Sequence, residues 1–265
     1  MAYYDLSKPQ KEALYLQMKS NVEEALTRNS CPELIAYSSD EDTYIRKNTY
    51  LILGRAWHSI PAFRNAVLSC IAILSQHPNP HVRQTAINAA GEIGKTSFES
   101  VAHFFDQGLF DQHHVPRNAV IGSIKKMGEV NPEPVLLWAR KYLHHTDKEI
   151  RREICHGIEL RGRKHPLDIL ALLKELQWDK TSRVSKTLVH VIGQIAYKKG
   201  CLEQVAKELC CWENEKLVES ALAEIVAVHE RYIDFSYYTQ PQALSILLQF
   251  FPNAASLKKL AGILK

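Results

Sequence analysis

The feature that most constrains this chain is a helical pattern that returns every 34 residues, placing Val82, Pro116, Ile150, Val184 and Val218 at equivalent positions. The stretches Val82-Arg83-Gln84-Thr85-Ala86, Ile150-Arg151-Arg152-Glu153-Ile154 and Val184-Ser185-Lys186-Thr187-Leu188 read as copies of one amphipathic helix start, and Ile45-Arg46 is an earlier copy 37 residues before Val82. A fixed period of this length means stacked helical units, none of which buries its apolar face alone. The expected fold is all-α, an α-solenoid of about six helical pairs with a capping helix at each end. One continuous stack has no reason to split its core, so residues 1–265 are expected to form a single repeat domain, with a cap over 1–30, repeats over 31–231 and a C-terminal helical cap over 232–265.

Along the chain, residues 8–28 have the spacing of an N-terminal helix, with Ala13, Leu14, Leu16, Met18, Val22, Ala25 and Leu26 on its apolar side and Pro9 in its first turn. Later units pair a short apolar helix (101–110, 135–143, 167–176, 202–211) with a longer amphipathic one. Turns such as His77-Pro78-Asn79-Pro80 and His144-His145-Thr146-Asp147 place Asn79 and Asp147 to cap the second helix. Two further helices, at 244–251 and 257–264, flank Pro252. The run Asn79-Pro80-His81-Val82-Arg83-Gln84-Thr85-Ala86-Ile87-Asn88-Ala89-Ala90-Gly91-Glu92-Ile93-Gly94 resembles a HEAT repeat, and the Trp, Leu-Gly, Tyr, Ala and Pro pattern of tetratricopeptide units is missing.

No apolar run reaches the length of a membrane span. The N-terminus lacks the basic start and apolar centre of a signal peptide, so a cytoplasmic location is expected. The six cysteines form no CxxC pair and read as reduced, small apolar side chains.

At 100° per residue, Val82, Ala86, Ala90 and Ile93 fall on the core side of the second helix, as do Ile150, Ile154 and Ile158, or Val184, Leu188, Ile192 and Ile195. The opposite side carries columns repeated 34 apart: Asn88, Gly122, His156, His190 and Glu224; Gln84, Asn118, Arg152, Lys186 and Ser220; Lys95, Glu129, Arg163, Tyr197 and Arg231. The net charge of +4 is concentrated here, because residues 151–199 hold eleven Lys/Arg against five Asp/Glu, while the preceding 150 residues balance. A basic concave groove is expected, formed by Arg152, His156, Arg163, Arg183, Lys186 and His190, with Lys125 and Lys126 nearer its N-terminal end. Such a groove suits phosphates or an acidic protein or peptide. Arg83, Arg117 and Arg151 recur at the edge of the core stripe and read as structural, bonding carbonyls or acidic turns of neighbouring repeats.

Residues 130–225 resemble the HEAT-like alkylpurine DNA glycosylases of bacteria. The resemblance rests on Leu137-Trp138-Ala139, Glu149-Ile150-Arg151-Arg152, Val184-Ser185-Lys186-Thr187-Leu188-Val189 and the stretch from Leu217 to Leu222. It implies a duplex held on the concave face, with a carboxylate and aromatic rings beside the cationic base. The Glu-Gly pair expected from that family is His156-Gly157 here, and Leu160-Arg161-Gly162-Arg163-Lys164 replaces the family's Pro/Trp segment. Glu159 is left as the candidate catalytic carboxylate, and Trp178 and Trp212 read as packing residues.

His113-His114 and His144-His145 lack metal-ligand spacing. His156 and His190, on neighbouring helices roughly 10 Å apart, are too distant to share an ion without a third group. No nucleotide-binding or nucleophile motif is present. The sequence therefore points to no metal and no cofactor. The first functional reading is a DNA-binding protein without excision, the second a protein-interaction scaffold, and the third an active glycosylase; oligomeric state stays open.

Overall fold

The computed structural model describes residues 3–263, and among these it contains helices and no strands. The chain is an all-α helical-repeat protein of the solenoid class. Contacts divide it into two compact units, Met1–Pro134 and Val135–Lys265. The first contains α1 (Lys8–Arg28), α2 (Pro32–Ser39), α3 (Thr43–Ser59), α4 (Arg64–Ser75), α5 (Pro80–Ser97), α6 (Ala102–Leu109) and α7 (His114–Val130). The second opens within α8 (Pro132–Arg140) and continues with α9 (Lys148–Gly157), α10 (Glu159–Gly162), α11 (Pro166–Lys174), α12 (Ser182–Ala196), α13 (Leu202–Leu209), α14 (Glu215–Arg231), α15 (Gln240–Phe250) and α16 (Ala255–Ile263). The expected helix ending at residue 264 closes one residue beyond the described range.

Within each unit, each longer helix packs on the next one of its kind. In the first unit α3 packs on α5 and α5 on α7; in the second, α9 packs on α12 and α12 on α14. The 34-residue stripe supplies the contacts: Val82, Ala86, Ala90 and Ile93, and separately Val184, Leu188, Ile192 and Ile195, are fully buried. Burying one such Val, Leu or Ile side chain contributes about 1.5–3 kcal/mol, so each added layer extends a continuous core. Helix starts are fixed by the turns. Asn79 Oδ1 accepts from the His81 N–H at 2.8 Å, and Asp147 Oδ1 from the Glu149 N–H at 2.8 Å, satisfying donors that the helix itself leaves open.

The recurring arginines stitch successive layers. Arg83 donates through Nε to Asp111 Oδ2 at 2.6 Å, and through Nη1 to the His77 and Pro78 carbonyls at 2.8 Å each. Arg151 repeats the arrangement with Asp179 Oδ2 at 2.6 Å and the His145 and Thr146 carbonyls at 2.7 and 3.0 Å. Burial opposes the charged form of Asp111 and Asp179. The arginine hydrogen bonds, those from the His113 N–H and from the Thr181 hydroxyl and N–H, and the arginine charges together outweigh it and hold both carboxyls below the usual carboxylate range. At the next equivalent position Ser185 Oγ reaches the Asp179 carbonyl at 3.1 Å, a neutral remnant of the same contact.

Close helix approach requires a small residue at Gly91, where an added Cβ would lie 2.6 Å from Ser123 Oγ, and the equivalent Gly193 faces Glu224 in the same way. The intervening copy in the second unit is Glu159. There the expected single helix is broken: α9 stops at Gly157, Ile158 caps it, and Glu159 begins the four-residue α10.

Several side chains depart from expectation. Leu16 is exposed, because α1 has packing partners along one narrow stripe of Met18, Val22, Ala25 and Leu26. Trp212 is buried as expected, but Trp178, in the turn after α11, is 62% exposed and packs little. Cys31, Cys70, Cys155 and Cys201 are buried, whereas Cys210 and Cys211 lie exposed past the end of α13. Burial pushes the Cys70 and Cys155 thiols up, which keeps them protonated.

Candidate functional site

Because α9, α12 and α14 lie side by side, the 34-residue column of the second unit becomes a row of touching side chains. The His156 and His190 rings are 6.0 Å apart between centroids, tilted by 48°, and His190 Nδ1 is 4.0 Å from Glu224 Oε1. The expected separation of roughly 10 Å took helix-axis spacing for side-chain spacing. Rings that extend toward each other from neighbouring axes close much of that gap.

The cations of this face are anchored by carboxylates. Arg152 Nε donates to Glu149 Oε2 at 2.9 Å, and its Nη2 lies 3.4 Å from Glu153 Oε1. Arg183, 64% exposed, meets the other oxygen of Glu149 at 3.0 Å and so ties α12 to α9. Arg163 donates to Glu159 Oε1 and, at 2.8 Å, to Gln194 Oε1, with its guanidinium 5.9 Å from the Tyr197 ring centroid. Arg231 pairs with Glu224 at 3.1 Å. Lys186 is exposed and, among the described residues, has no acidic partner.

The face is therefore far less positive than the sequence count implies. Glu149, Glu153, Glu159 and Glu224 offset four of the five cations Arg152, Arg163, Arg183, Lys186 and Arg231, leaving a single positive charge in excess. The 151–199 window leaves out Glu149 on one side and Glu224 on the other. Glu149 is what the sequence reading missed as part of the face, whereas Glu224 and Arg231 stood in its columns but were not weighed in its charge. The column register carried the signal for Glu224 and Arg231, which stand in the same rows as His190 and Arg163.

The two signs are layered. Glu153 and Glu159 are buried, while Arg183 and Lys186 point outward, so carboxylates sit beneath a surface of N–H donors. A shallow cavity of about 420 Å³ runs between the donors, lined by Arg152, His156, Arg183, Lys186, Thr187 and His190. A neighbouring hollow of about 330 Å³ adds Val189, Leu217 and Ser220 beside Lys186 and His190. Lys125 and Lys126 lie on α7 and belong to the first unit. Glu159, the candidate catalytic carboxylate, is 2% exposed and engaged by Arg163 and by His156, whose Nδ1 is 2.9 Å from Glu159 Oε2.

A larger cavity of about 620 Å³ in the first unit is lined in part by Arg83, Phe104, Phe110 and Asp111. Its charged groups are consumed by the Arg83–Asp111 stitch, so it is a crevice between stacked turns. No helix among the described residues is long and apolar enough to cross a membrane.

No protein-family model matches the chain, and no curated protein matches it. The resemblance to alkylpurine DNA glycosylases thus has no counterpart in those comparisons. Solved structures similar to the chain include a computationally designed armadillo repeat protein for modular peptide recognition, at 17% identity over 75% of this chain and 99% of that one, with a TM-score of 0.34. Two engineered proteins are also similar: one at 12% identity over 97% of this chain and 74% of its own, TM-score 0.36, the other at 15% over 86% and 91%, TM-score 0.28.

Proposed function

We propose that the face formed by α9, α12 and α14 is a docking surface for an acidic peptide segment of a protein partner. The observation that carries this reading is the layering of charge. Buried and half-buried carboxylates hold the arginines in fixed orientations, and the outward layer offers guanidinium, ammonium and imidazole donors around a shallow cavity. Such pre-oriented donors favour discrete carboxylates placed one at a time, since little side-chain freedom is lost on binding.

The same layering disfavours a nucleic-acid backbone. Phosphate affinity grows with the number of cations that release counterions, and most of the arginines here are already neutralised within the protein. A polyanion tracking the row would also meet Glu149 and Glu224. The two readings separate in a salt series: a fluorescein-labelled peptide carrying single Asp and Glu residues separated by Gly and Ser should bind with a shallow salt slope, and duplex DNA should compete poorly. Tight duplex binding with a slope of several charges would reverse the assignment.

A further inference from the structure

Among the described residues, one trio of side chains has the donor set and proximity of a metal site: His156, Glu159 and His190, whose ligand atoms all lie within 4.8 Å of one another. We infer that these three residues bind a divalent transition-metal ion of the Zn²⁺ type. The inference goes beyond the peptide-docking reading and stands without it. Donors bound to one ion at about 2.1 Å sit about 3.0–3.4 Å apart, and His156 Nδ1 is already 2.9 Å from Glu159 Oε2. His190 is 42% exposed, and one of its ring nitrogens lies within 4.8 Å of the ligand atoms of both.

The repeat explains how the trio forms. His156 and His190 are the same position in consecutive units, and Glu159 replaces the close-approach glycine that Gly193 represents in the next. The break between α9 and α10 sets this carboxylate beneath the two rings. Its oxygens are divided in function. Oε2 faces His156, whereas Oε1 accepts from Arg163, which is held in turn by Gln194. A guanidinium on the distal oxygen orients a ligating carboxylate as an outer-shell partner does, and leaves Oε2 to bind in monodentate fashion. Two imidazoles and a carboxylate complete three positions, and the exposed side of the histidines leaves a fourth for water or an incoming carboxylate.

The test is titration of the full chain with Co²⁺ alone, followed by visible absorption. Wild type should saturate at one equivalent with an intense four-coordinate spectrum that Zn²⁺ displaces. His156→Ala, His190→Ala and Glu159→Gln should each weaken binding by about tenfold or more. The histidines are partly exposed, so their variants should keep the wild-type circular dichroism even if Glu159→Gln does not. Absence of saturable binding, or a saturable band that survives both histidine substitutions, would overturn the site. Peptide affinity measured in chelator is a separate readout, so failure of one proposal leaves the other intact.

Discussion

The turn edge of the repeats and the face of the second unit are built on one period but use it in opposite ways. At the turn edge the chemistry itself repeats: Arg83 with Asp111 in the first unit and Arg151 with Asp179 in the second make the same ion pair and the same two carbonyl bonds. On the face, equivalent positions hold different residues, His156, His190 and Glu224, and the contacts are made once. Repetition of a contact marks what every layer needs to stack. Variation along a column marks where one place on the surface has been specialised.

The sharpest way to break this comparison is to remove one partner of each kind. Asp179→Ala strands the largely buried Arg151 guanidinium, and urea denaturation should show a loss of about 3–5 kcal/mol. Arg183→Ala on the face should cost less than about 0.5 kcal/mol in the same experiment, since its pair with Glu149 is exposed. Equal costs would erase the distinction. Between these extremes, Gly91→Ala should cost about 1–3 kcal/mol, because the added Cβ meets Ser123 where the helices touch.

Acid sharpens the comparison further. Asp111 and Asp179 have folded pKa values below the unfolded carboxylate value of about 3.9. Their contribution is fully present above that value and is lost as pH falls through the folded one, so Asp179→Asn should flatten the acid limb of stability below about pH 4. His229 acts at milder pH. Burial pushes its imidazole below the ordinary range, offset in part by its hydrogen bond to the Ile225 carbonyl at 2.7 Å. The unfolded chain therefore takes up protons first, and stability should decline as pH drops below about 6.5. His229→Gln should remove that decline while leaving the carboxylate limb in place.

Much of the scaffold was legible in the sequence, since a stripe repeated at 34 residues can be satisfied only by stacked helices. The caps at Asn79 and Asp147 and the stitching role of Arg83 and Arg151 followed from residue type and register. The face was legible as a set of columns, but its electrostatics were not. Counting charge over a stretch of chain cannot see that Glu149 reaches Arg183 on the next helix, or that Glu224 closes the row from the other side. Glu159 shows the same gap at one residue. Its register gives its place beside the His156 column, but its burial depends on the break after Gly157, which no periodicity contains.

The central claim is that the α9, α12 and α14 face binds rather than stacks. Lys186 tests it most directly, because it lies in both hollows of the face and has no acidic partner to lose. Fluorescence anisotropy of the acidic peptide should show about tenfold weaker binding to Lys186→Glu than to wild type at one fixed ionic strength, with unchanged thermal stability. Equal affinity for the two proteins would contradict the assignment of this face as the binding surface.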